Sequence, residues 1–147
     1  MTAIISKMLI FIFTVASFFT VAQPENVKIT VNEVTTESTA VGFTYENKTK
    51  KIMSELDSMR LYKSVDDEWE EVDLNYAMPE VAYRTYQNQK VKDSLPLTSY
   101  DWENGDGTLH YVKLTEGEYR LTITYRIYEF SKGWTKATAS TTFTVER

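Results

Sequence analysis

The stretch Leu114-Thr-Glu-Gly-Glu-Tyr-Arg-Leu-Thr-Ile-Thr-Tyr-Arg-Ile-Tyr128 decides the fold of this chain. Apolar side chains occupy every second position from Tyr119 to Ile127, and polar side chains stand between them. A period of two places these sets on opposite faces of a β-strand. The apolar face must be covered by another sheet. The stretch therefore predicts a central strand of an all-β core.

Short alternating segments and turns continue on both sides of this strand. Alternation predicts strands at residues 27–31, 41–45, 59–63 and 137–145, with turns at Asp66-Asp67, 87–89 and 131–133. Pro96 cannot donate to a ladder, so it limits an edge strand in residues 91–100. Residues 52–56 fit either a helical turn or a strand. We expect about seven to nine antiparallel strands in a β-sandwich.

The N-terminus has the pattern of a secretory signal peptide. Lys7 precedes an uncharged run at residues 8–22, and the run ends in Thr20-Val-Ala22 with small residues at the cleavage-determining positions. We expect cleavage after Ala22, which leaves one domain at 23–147 and no stable membrane span. A retained anchor is the alternative, although the run is shorter than the roughly 20 residues that a spanning helix needs.

Composition narrows the classes of function. The chain has a formal net charge of −5 and no cysteine. An acidic surface repels phosphate backbones, so nucleic acid is not an expected partner. Without cysteine there is no disulfide framework, no thiol nucleophile and no cysteine-based zinc site, so stability must come from packing.

Three segments, taken together, resemble a bacterial immunoglobulin-like domain family of secreted and cell-surface proteins of Gram-positive type. They are Val41-Gly-Phe-Thr-Tyr-Glu-Asn47, the hairpin from Leu61-Tyr-Lys63 to Glu68-Trp-Glu-Glu-Val72, and Leu114-Thr-Glu-Gly-Glu-Tyr-Arg-Leu121 with the closing Thr142-Phe-Thr-Val-Glu146. The resemblance implies an immunoglobulin-like β-sandwich in an extracellular setting. It implies no catalytic residues and no cofactor.

The turn before the central strand has the form of a sandwich corner. A tyrosine at the start of a late strand often returns its hydroxyl to an upstream backbone group. We therefore predict structural roles for Leu114, Gly117 and Tyr119. Leu114 would close the corner, Gly117 would relieve the tight turn, and Tyr119 would supply the hydrogen bond.

Aromatic side chains exceed what the inward positions need. The surplus comprises Tyr83, Tyr86, Tyr100, Trp102, Tyr111, Tyr128 and Trp134. We expect most of them to fill the core of a domain that lacks disulfides. Exposed rings that stack on sugars or anchor a protein interface are the alternative. Tyr100, Trp102 and Tyr111 flank the acidic, glycine-containing loop at 101–107, and they are our candidate ligand contacts.

Catalytic and metal chemistry find little support in the residue pattern. His110 is the only histidine, so no multi-histidine site can be built. Neighbouring carboxylates of the acidic run at 66–73 point to opposite faces of a strand, and the run at 101–107 does not fit the spacing of a calcium loop. We therefore predict no metal site, with calcium binding as the alternative. A small secreted hydrolase would need paired carboxylates in a cleft, and no pair is singled out.

These observations predict a secreted or cell-surface module that is not an enzyme and acts by binding or as a structural unit. Its partner would be a protein or a glycan at the cell surface. The runner-up is a carbohydrate-binding module that uses the aromatics of the 100–111 loop, and the third hypothesis is the hydrolase.

Overall fold

The computed structural model describes residues 26–76, 78, 84–101 and 107–147. The predicted signal peptide at 1–22, Tyr83 and Trp102 lie outside the described residues. The strands within them are β1 (Val27–Val31), β2 (Ala40–Asn47), β3 (Met53–Val65), β4 (Glu68–Glu71), β5 (Arg84–Thr85), β6 (Lys90–Pro96), β7 (Thr98–Asp101), β8 (Thr108–Tyr111), β9 (Gly117–Glu129) and β10 (Gly133–Val145). This part of the chain contains no helix. The all-β prediction is confirmed.

Two antiparallel sheets form the sandwich. One has the order β1-β2-β6, and the other has the order β10-β9-β3-β4 with β5 also paired to β3. A separate two-stranded ribbon consists of β7 and β8. The strand at 117–129 lies between β3 and β10, so the predicted central position is confirmed. The immunoglobulin-like sandwich is the architecture of the chain.

The core lies between the alternating faces of the two sheets. The five predicted inward side chains of β9, from Tyr119 to Ile127, are all buried. Val41, Phe43 and Leu95 from the other sheet are also buried, at 1% exposure or less. Burial of one such side chain contributes about 1.5–3 kcal/mol. Apolar packing therefore holds this fold together without disulfides.

Residues 52–56 were ambiguous because β3 is bulged there. The register of β3 against β9 shifts between Met53 and Leu56 and again before Ser58. These irregularities bring Met53, Leu56 and Met59 inward at spacings of three residues. Such spacing resembles a helical turn in the sequence, whereas in the structure it is the mark of β-bulges.

The β3–β4 hairpin follows the prediction. Asp66 and Asp67 have φ values of 50° and 65°, which are the left-handed conformations of a two-residue type I′ turn. On the outer face, the Arg120 guanidinium carbon lies 4.7 Å from the Trp69 ring centroid and 4.8 Å from that of Tyr62. Trp69 thus lies on the outer face of the larger sheet.

Strand β10 forms one edge of the larger sheet. Beyond the pairing of β10 with β9, a parallel bridge joins Thr35 to Glu146, the residue that follows β10. The Thr36 amide donates to the Glu146 carbonyl at 2.9 Å. The segment after β1 therefore crosses to the second sheet and joins the two ends of the described chain.

Candidate binding surface

The β7–β8 ribbon stands outside both sheets of the sandwich. Its register pairs Thr98 with Tyr111 and Tyr100 with Leu109, so these four side chains share one face of the ribbon. Tyr100 is 37% exposed, Leu109 42% and Tyr111 69%. An isolated two-stranded hairpin is marginally stable at best. This ribbon nevertheless presents an apolar face to solvent.

The sandwich fixes the base of the ribbon through backbone hydrogen bonds. The Leu97 amide donates to the Thr39 carbonyl at 3.0 Å, and the Val112 amide donates to the Leu97 carbonyl at 2.8 Å. The Asn75 amide donates to the Thr98 carbonyl at 2.9 Å. Both strands of the ribbon are therefore anchored where they leave the core, and this anchoring positions the aromatic face.

The opposite face of the ribbon is polar. Ser99 pairs with His110, and Asp101 pairs with Thr108. All four residues of β8 are exposed, His110 among them. The ribbon is therefore amphipathic. Its exposed apolar face distinguishes it from an ordinary hairpin whose solvent-facing side chains are polar. Of the three candidate ligand contacts, the structure brings Tyr100 and Tyr111 to this one face, while Trp102 lies outside the described residues.

One sequence expectation about this region is wrong. Leu109 and Tyr111 are exposed, because among the described strands β8 pairs only with β7. The surplus aromatics were expected to fill the core. Among the described residues, all of those named above are instead at least 37% exposed: Tyr86, Tyr100, Tyr111, Tyr128 and Trp134.

Hydrogen bonds and apolar packing stabilise the corner before β9, beside the ribbon. The Tyr119 hydroxyl donates to the Thr115 carbonyl at 2.8 Å and accepts from the Thr115 amide at 3.2 Å. Gly117 has a φ of 144°, a conformation that favours glycine. Leu114 is 3% exposed beneath the corner. These contacts match the structural roles assigned to the three residues, whose contributions to stability stay predictions.

Tyr119→Phe is expected to lower the free energy of unfolding by about 1 kcal/mol. The substitution removes both hydrogen bonds, and the loss stays modest because Thr115 is exposed and water can replace the hydroxyl. Chemical denaturation measures the change. Tyr125→Phe is the matched control, because this buried ring of the same strand shows no hydrogen bond from its hydroxyl to the described residues. Equal stability of Tyr119→Phe and wild type would contradict the prediction.

A second exposed aromatic group lies at the opposite end of the sandwich. Tyr128 and Trp134 pair across β9 and β10 with ring centroids 5.3 Å apart in an edge-to-face arrangement. Phe130, in the turn between these strands, is 96% exposed. The sequence reasoning missed Phe130. The available signal was a large apolar residue inside a turn that is otherwise polar.

The carboxylates of the described residues show no arrangement for acid–base chemistry. None is buried. A hydrogen bond from Lys48 lowers the pKa of Glu46, and one from Lys51 lowers the pKa of Glu129. Both shifts favour the ionised form. No group of three or more histidine, aspartate or glutamate side chains in this part of the structure could hold a metal ion.

The fold, the corner and the exposed ribbon together define an immunoglobulin-like β-sandwich module. The family model of the bacterial Ig-like domain matches residues 23–144, and the chain belongs to this family. Such domains are generally non-catalytic modules. The search of curated proteins and the search of solved structures each gave no match. Among the described residues, no helix is long and apolar enough to cross a membrane.

Proposed function

We propose that this chain is an extracellular, non-catalytic binding module, and that the apolar face of the β7–β8 ribbon is its contact surface. Tyr100, Leu109 and Tyr111 form this face, and they carry the proposal. Exposed tyrosines on a fixed support offer a large contact area with little conformational entropy to lose. A partner at the cell surface fits the export that the N-terminal sequence indicates.

The domain boundary supports the proposed export. The family match begins at Gln23, which is the residue that follows the predicted cleavage position after Ala22. We propose that residues 1–22 direct export and that residues 23–147 form the mature domain. Mass spectrometry of the exported protein tests this boundary, and an N-terminus other than Gln23 would contradict it.

Two chemical classes of ligand fit this surface, namely proteins and glycans. A protein partner would bury Tyr100, Leu109 and Tyr111 together as one apolar patch. A glycan would stack against an open ring, and Tyr111 is the most exposed ring of the ribbon. Protein binding is the first candidate because Leu109 lies opposite Tyr100 and next to Tyr111 on the same face, and an aliphatic side chain offers a sugar no aromatic face.

Tyr111→Ala is expected to weaken binding to the isolated cell-envelope fraction of the producing bacterium by about tenfold. The loss of one central aromatic contact accounts for this change. Binding isotherms of the exported protein, with and without calcium, measure it. His110→Ala is the matched control, because it changes the adjacent residue on the polar face of the same strand.

Treatment of the envelopes distinguishes the two ligand classes. Protease digestion should abolish binding to a protein partner and leave binding to a glycan intact, whereas periodate oxidation should do the reverse. Equal binding by wild type and Tyr111→Ala would refute the assignment of the ribbon as the contact surface.

A further inference from the structure

The end of the sandwich remote from the β7–β8 ribbon carries a projecting apolar side chain. Phe130 is 96% exposed in the turn that joins β9 and β10. Tyr128 and Trp134 stand at the base of this turn, and they are 38% and 41% exposed. Single exposed apolar residues are ordinary on protein surfaces, but here three aromatic rings converge on one hairpin. The hairpin therefore presents a group of exposed apolar side chains to solvent.

Lysines surround this aromatic hairpin. The Tyr128 amide donates to the Ile52 carbonyl at 2.9 Å, so the loop at 48–51 lies directly beside the hairpin. Lys51 forms an ion pair with Glu129, and Lys132 approaches the same carboxylate at 3.7 Å. Lys50 is exposed and makes no ion pair with the described residues. One acidic side chain is thus shared between two lysines, and positive charge is left in excess.

The positive charge continues onto the outer face of the smaller sheet. Lys28 and Lys90 lie opposite Glu46 on the two neighbouring strands, and Lys92 lies opposite Thr44. These side chains line a shallow groove of about 390 Å³. We call the lysines of this end and the hairpin aromatics the basic–aromatic end: Lys28, Lys48, Lys50, Lys51, Lys90, Lys92, Lys132, Tyr128, Phe130 and Trp134.

The described chain also begins at this end. The Lys48 amide donates to the Asn26 carbonyl at 3.0 Å. Only Gln23, Pro24 and Glu25 separate Asn26 from the uncharged run at residues 8–22. While the uncharged run still holds the chain in the membrane during export, the basic–aromatic end is therefore the part of the domain nearest to the membrane.

We propose that the basic–aromatic end docks on the surface of an anionic phospholipid bilayer. Lysines near such a surface each strengthen binding about fivefold, which follows from about 1 kcal/mol per cation. Aromatic rings favour the boundary between headgroups and acyl chains. Phe130 and Trp134 enter this boundary, and the lysines contact the phosphates. The β7–β8 ribbon at the other end stays free for its own ligand.

A second copy of the chain is the competing occupant. The β3–β4 hairpin lies at the opposite end of the molecule and carries acidic side chains at 66–68, 70, 71 and 73. These charges complement the lysines. The residues of β4 other than the half-buried Trp69 are exposed glutamates, however, so this hairpin offers Phe130 little exposed apolar surface. A bilayer matches both the charge and the aromatic rings.

The test uses the exported protein and large unilamellar vesicles in a sedimentation assay. We expect the wild type to bind vesicles that contain phosphatidylglycerol at least about tenfold more tightly than vesicles of phosphatidylcholine alone. Phe130→Ser is expected to weaken binding about tenfold, and Leu109→Ser, an exposed apolar position at the other end, is its matched control. Lys50→Ala is expected to weaken binding about fivefold, with Lys113→Ala as its matched control.

Three results would overturn the proposal. Equal binding to both kinds of vesicle would show that electrostatic attraction does not contribute to binding. Equal losses of binding in a variant and its control would show that the basic–aromatic end is not the binding surface. Salt-sensitive self-association without vesicles that Glu70→Lys abolishes would assign the end to a second copy. The envelope isotherms of Tyr111→Ala depend on the other end of the molecule, so failure of this proposal leaves the proposed function standing.

Discussion

Leu121→Ala is expected to lower the free energy of unfolding by about 2–5 kcal/mol, which is the largest effect that we predict for this chain. Leu121 is fully buried at the centre of β9 and pairs with Leu61 on β3 and Thr141 on β10. Strands on both sides hold the backbone there, so the site cannot collapse to fill the cavity. The lost transfer free energy and the cavity therefore add.

Urea denaturation of the exported protein measures this change. Folded domains are stable by only about 5–15 kcal/mol, so Leu121→Ala would remove a large share of the total. Thr124→Ala is the matched control because Thr124 lies on the outer face of the same strand, and we expect it to stay within about 0.5 kcal/mol of wild type. A loss below about 1 kcal/mol in Leu121→Ala would contradict the position of β9 at the centre of the core.

Asn47→Ala is expected to lower the free energy of unfolding by about 2–4 kcal/mol. Asn47 is fully buried at the end of β2. Its amide nitrogen donates to the carbonyls of Lys51 and Thr85, each at 2.9 Å. Its side-chain oxygen accepts from the Thr49 amide at 2.9 Å and from the Thr49 hydroxyl at 2.6 Å. Alanine would leave buried partners without hydrogen bonds.

Thermal and urea denaturation measure this second change. Thr49→Ala removes only the hydroxyl at the exposed side of the same network, so we expect about 1 kcal/mol there. An Asn47→Ala variant no less stable than Thr49→Ala would show that the buried amide does not hold the loop. Asn47-Lys48-Thr49 also matches a glycosylation sequon. The Asn47 amide is, however, buried and hydrogen-bonded within the loop that follows β2.

Sequence periodicity predicted the strands whose side chains alternate regularly between the two faces. Alternation located β1, β9 and most of β10, because in each of these strands one face is less exposed than the other and the register is regular. The motif from Leu114 to Tyr119 predicted the corner, because local backbone geometry requires those residue types. Met53 and Leu56 could not be placed, because bulges depend on the partner strand and leave a helix-like spacing in the sequence.

The proposed binding surface was less predictable, because the parity of a residue assigns it to a face of a strand and does not say what covers that face. Tyr111 and Trp134 were expected in the core on the argument that a domain without disulfides needs large apolar side chains. Among the described strands β8 pairs only with β7, and Trp134 lies on the outer face of the larger sheet. Which strands stay uncovered is a property of the assembled sandwich. The turn position of Phe130 was the one local clue.

The bridge between Thr35 and Glu146 has a consequence for the order in which the chain folds. It joins positions near the two ends of the described chain, and such distant pairing is slow because a long loop must close first. The sandwich cannot be completed until its last strand is present. For a chain exported as we propose, we expect the domain to close only after its final described strand has crossed the membrane.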